Sequence, residues 1–61
     1  MHKTTIRNLE TNIEKKCDIL NKNDKILEVV IENTTIKLTL FKKNNLYVGR
    51  FKDLEFVSNG N

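Results

Sequence analysis

The hydrophobic period of this chain changes once, near residues 21–24 (NKND), and that change constrains the fold more than any motif does. Beyond it the period is two. Residues 25–32 (KILEVVIE), 35–41 (TIKLTLF) and 46–51 (LYVGRF) alternate and are rich in β-branched and aromatic side chains, the pattern of strands. A turn at Asn33-Thr34 pairs Leu27 with Leu40, Val29 with Leu38 and Ile31 with Ile36. Six aliphatic residues then share one face, and a slip by one residue would mix lysine into it, so the register is well specified. A two- or four-residue loop around residues 42–45 (KKNN) adds Tyr47, Gly49 and Phe51 to that face. Gly49 then marks a close approach of another backbone, expected to be that of a helix. The strands are expected at about 25–32, 35–41 and 46–52, with a short fourth at 53–57.

Before the change, Ile6, Leu9, Ile13, Cys17 and Leu20 recur at helical spacing and fall within about 80° of arc. The spacing predicts a helix over about 5–21, capped by Thr4 or Thr5 and stopped by the asparagines that follow. A start at Thr11, with Glu14 completing a capping box, leaves residues 3–9 extended instead. No alanine supports the helix, so packing must hold it. The expected fold class is α+β: one single domain over 1–61, with an N-terminal amphipathic helix packed on a three- to four-stranded antiparallel β-meander.

Length sets the functional limits. The chain has 61 residues, room for one small domain and no interdomain cleft. At this size burial and ordering entropy nearly cancel, so self-association or docking is expected to complete the core. Asparagine and lysine occur nine times each and isoleucine six times, a bias that AT-rich codons explain. A lone cysteine excludes an internal disulfide, and one Cys with one His falls short of a four-ligand metal set. Cys17 reads as a buried structural thiol and His2 as a terminal bystander, so no catalytic residues, cofactor or metal are expected. Neither a phosphate-binding loop, a membrane-spanning run nor a signal peptide is visible, and the expected location is the cytoplasm.

Three groups of residues remain as binding candidates. The sheet face opposite the helix would carry Ile26, Val30, Phe41, Leu46 and Val48, more apolar surface than a solvated face needs; these are candidates for self-association. Glu10, Glu14 and Asp18 would form an acidic row along the helix, a candidate stripe for a basic partner. Lys37, Lys42, Lys43, Arg50 and Lys52 cluster around the second hairpin in a chain of formal charge +3, and are candidates for contacts with nucleic acid. The expected protein is a small non-enzymatic interaction protein, a regulator or inhibitor of the type phages and mobile elements encode. It would act as a homo-oligomer by blocking another protein. The alternative is a small basic nucleic-acid-binding module that uses the Lys42-Lys43 hairpin.

Overall fold

A computed structural model describes residues 2–60. It contains six strands: β1 (Lys3–Asn8), β2 (Glu14–Lys22), β3 (Ile26–Ile31), β4 (Lys37–Lys43), β5 (Leu46–Phe51) and β6 (Leu54–Ser58). Each pairs antiparallel with the next, and β1 pairs with β6 to close a barrel. There is no helix among the described residues. The α+β expectation, with its helix over 5–21, is therefore overturned: that segment is a β-hairpin.

The physical reason lies in residues 8–13. Asn8 Oδ1 accepts hydrogen bonds from Glu10 N at 2.9 Å and Thr11 N at 3.4 Å, an Asx turn that ends β1. Asn12 takes a left-handed φ of 60°, and Asn8 N donates to Ile13 O at 3.0 Å, closing the loop. On either side the chain alternates. Thr4, Ile6 and Asn8 are buried on β1, as is Cys17 on β2. Of the five residues in the supposed helical stripe, Ile6 and Cys17 reach the interior; Leu9, Ile13 and Leu20 stay exposed. A period-two strand containing threonine and asparagine at its inward positions carries little apolar signal. The chance 3–4 spacing therefore dominated.

The later strands follow the predicted register. Leu27 pairs with Leu40 and Val29 with Leu38, and Ile31 N donates to Ile36 O at 2.9 Å. Asn44-Asn45 makes a two-residue turn, setting Lys42 against Tyr47 and placing Tyr47, Gly49 and Phe51 inward. The inward residues meet one another across the barrel: Ile6, Cys17, Leu27, Val29, Leu38, Leu40, Tyr47 and Phe56 form the core, each 7% exposed or less. At about 1.5–3 kcal/mol for each large side chain removed from water, this cluster dominates the folding energy. The core is completed within one chain, without a helix and without a partner. The expected close approach at Gly49 is present, but to the neighbouring strand β4 rather than to a helix.

The barrel has two mouths. At the first, where β1 begins, Tyr47 Oη donates to Asn23 O at 2.8 Å, and Lys22 Nζ donates to Gly60 O at 2.9 Å. At the second, where β1 ends, Ile31, Ile36, Phe51 and Leu54 pack half-buried against the core.

Candidate interaction surface

The outer wall is built by the residues that alternate with the core. Register runs continuously across four strands: Ile26 opposite Phe41, Phe41 opposite Val48, Val48 opposite Val57. Since Leu40, Tyr47 and Phe56 point inward, these four point outward and form an apolar row around the barrel. Phe41 is the most exposed large hydrophobic residue, at 61%. Leu46, two positions before Val48 on the same face, adds a second exposed side chain at 42%. Cross-strand neighbours of this kind pack laterally.

Four of the five self-association candidates thus come together: Ile26, Phe41, Leu46 and Val48. Val30 does not join them; it stands between Asp18 and Lys37, toward the second mouth. Val57 extends the row and was missed in the sequence, where weak alternation in residues 53–57 did not reveal which side faces out. It is 9% exposed, at the floor of a groove of about 190 Å³ whose walls include Thr5, Arg7 and Leu46.

The acidic row of Glu10, Glu14 and Asp18 does not exist as a stripe, because it depended on the helix. Glu10 sits in the first hairpin loop, and Glu14 is opposite Arg7. Asp18 is opposite Lys3, whose Nζ lies 3.3 Å from Asp18 Oδ1 and 2.6 Å from Glu32 Oε2. The hydrogen bond to Glu32 first, and that to Asp18 second, raise the Lys3 pKa above its ordinary value. Asp18 is therefore already engaged within the chain.

The basic candidates are split between the two mouths. Lys42 and Lys43 lie at the first; Lys42 Nζ stands 5.6 Å from the Tyr47 ring centroid, and Lys43 is opposite Leu46. Lys37 and Lys52 lie toward the second, with Lys52 Nζ 5.5 Å from the Phe51 ring centroid. Arg50 is opposite Glu55 on the outer wall. Lys43 and Arg50 flank the apolar row from its two sides.

Cys17 is fully buried, and burial, reinforced by Asp18 and Glu32, pushes its thiol up to about 11. Such a thiol is the opposite of an activated nucleophile. His2 is exposed and lines a groove with Lys3, Ile19 and Lys22. No group of three or more His, Cys, Asp or Glu side chains able to hold a metal ion occurs among the described residues. Nor is there among them a helix long and apolar enough to cross a membrane.

The fold and surface define a class: a six-stranded antiparallel barrel with a filled interior and an apolar row on its outer wall. Comparison of the chain with protein families, curated proteins and solved structures gives no significant match.

Proposed function

We propose that this chain is a small non-enzymatic interaction protein of the regulator or inhibitor type, acting in the cytoplasm by covering the surface of another macromolecule. It self-associates through the outer row. The observation that carries this reading is Phe41: a phenyl ring 61% exposed, in register with Ile26, Val48 and Val57 on neighbouring strands. An apolar centre with Lys43 and Arg50 at its rim has the anatomy of a protein–protein contact. Sedimentation equilibrium tests it. The wild-type chain is expected above monomer mass and Phe41→Thr at monomer mass; a wild-type monomer across the accessible concentration range refutes the reading.

A second reading, nucleic-acid binding, rests on the same ring as a stacking platform between Lys43 and Arg50. The double substitution Lys43→Gln with Arg50→Gln separates the two. It weakens binding to a single-stranded oligonucleotide at low salt if the second reading holds, and leaves sedimentation unchanged if the first does.

A further inference from the structure

The two mouths of the barrel differ in chemistry. The first is bridged by hydrogen bonds, Tyr47 Oη to Asn23 O and Lys22 Nζ to Gly60 O. The second opens into a cavity of about 220 Å³ lined by the side chains of Ile13, Ile31, Leu54 and Phe56. Phe56 forms its floor at 7% exposure, Ile31 and Leu54 are half-buried, and Ile13 stands 54% exposed beside them. The mouth of a β-barrel is a common seat for a small ligand.

The polar groups around these carbons are already engaged. Asn8 Oδ1 accepts from Glu10 N and Thr11 N, and Thr11 Oγ1 accepts from Ile13 N at 3.2 Å. Ile13 O accepts from Asn8 N, and Ile31 O accepts from Thr34 N at 3.0 Å and Thr34 Oγ1 at 2.8 Å. An extended peptide laid in this mouth would strip water from its own N–H and C=O groups and find no partners among these atoms, which is costly. A hydrocarbon tail carries no such groups.

One charged side chain lines the cavity, that of Lys15. It lies two residues before Cys17 on β2, is exposed, and makes no ion pair among the described residues. The acidic residues of the neighbouring segments are directed elsewhere. Glu14 is opposite Arg7, Glu32 is bonded to Lys3, and Glu55 is opposite Arg50. An apolar floor with a single unmatched ammonium at its rim complements an apolar tail that ends in one negative charge.

We propose that the second mouth binds a small monocarboxylate with an alkyl tail, the tail resting on Ile31, Leu54 and Phe56 and the carboxylate meeting Lys15. An apolar cavity of about 150 Å³ accepts benzene, so this one has room for a tail of about six to eight carbons. The site goes beyond self-association at Phe41, which stands on the outer wall between Ile26 and Val48.

The test is an NMR titration of the whole isotope-labelled chain with sodium octanoate at neutral pH. Saturable shifts are expected at the amides of Ile13, Lys15, Ile31, Leu54 and Phe56, with a Kd of about 1 mM or tighter. Hexanoate, two methylenes shorter, binds about fivefold to fifteenfold more weakly. Octyltrimethylammonium, the same tail with the opposite charge, binds more weakly than octanoate. Lys15→Gln weakens octanoate by about twofold to fivefold and strengthens the cation, opposite changes that a loss of folding does not produce. No saturable shift at these amides up to about 20 mM octanoate overturns the proposal, as does a Lys15→Gln variant that keeps the full preference for the anion. Shifts at the same amides that grow with protein concentration in the absence of octanoate assign the mouth to a second copy and overturn it too.

Discussion

Gly49 is where the barrel is most sensitive to a single added carbon. It lies on β5 beyond the last rung of the β4–β5 ladder, where Phe41 meets Val48, and it pairs with Phe56 on the other side. A Cβ built there would stand 2.9 Å from Thr39 O, 3.0 Å from Leu40 Cγ and 3.3 Å from Leu40 Cα. Two of these three atoms are backbone and cannot swing aside. In an open strand, replacing glycine by alanine gains about 0.5–1 kcal/mol from reduced chain entropy. Forcing a methyl group into a filled site costs about 1–3 kcal/mol. The second effect wins here, because relief requires β4 and β5 to separate over a core in which Leu40 is fully buried.

The expected net loss for Gly49→Ala is about 1–2 kcal/mol, a large share of the roughly 3–9 kcal/mol available to a chain this short. For a domain of this size each kcal/mol moves Tm by about 4–8 °C, so the variant should melt about 5–15 °C lower by circular dichroism. Gly49→Val should lose more. A Gly49→Ala variant that melts at or above the wild-type temperature would refute the reasoning, since it would show that β4 and β5 separate freely at this point.

Two further outcomes test the interior and the turns. Cys17 ionises near 9.0 when unfolded and near 11 in the barrel, so the folded state holds its proton more tightly. The stability this contributes is complete below pH 9 and is lost as pH rises from 9 through 11, on the order of 2–3 kcal/mol. Urea titrations should show that fall in the wild type and a shallower one in Cys17→Ala, where only groups such as Lys3 still titrate. In the β5–β6 turn, Lys52 and Asp53 adopt φ of 49° and 65°, left-handed at both positions. Lys52→Asn combined with Asp53→Gly suits that turn and should raise stability by about 1–2 kcal/mol in the same titration; no gain would mean the two residues carry no strain.

The C-terminal half was legible because its inward positions are aliphatic. Leu27, Val29, Leu38 and Leu40 announce both a period and a register, and Tyr47 and Phe51 settle the next loop. The N-terminal hairpin was illegible for the complementary reason. Its buried set of Thr4, Ile6, Asn8 and Cys17 is half polar, and polar groups enter a small barrel only because partners await them: Ser58 Oγ for Thr4, the loop amides for Asn8. A usable signal was present elsewhere. Asn12, Asn33 and Asn44 have φ of 60°, 65° and 59°, and Asn8 and Asn23 accept loop amides through their side chains. Turn-forming asparagines spaced about ten residues apart along the whole chain point to an all-β meander. Codon bias explains how common they are, but not where they stand. The acidic row vanished with the helix, whereas the Ile26–Phe41–Val48 row survived because it depended on strand register alone.

Closure of the barrel also changes what the outer row means. A 61-residue chain that could not bury its own core would need a partner in order to fold, and exposed apolar residues would be part of that core. Here the core is complete inside one chain, so Phe41 has no interior task. Its remaining structural role is lateral packing on Ile26 and Val48, worth about 0.2–1 kcal/mol for each cross-strand pair, which threonine, a good strand former, partly supplies. Phe41→Thr should therefore cost at most about 1–2 kcal/mol of monomer stability while removing self-association altogether. Structure alone does not require a phenyl ring 61% exposed at this position. The proposed contact with a second surface would give the ring its task.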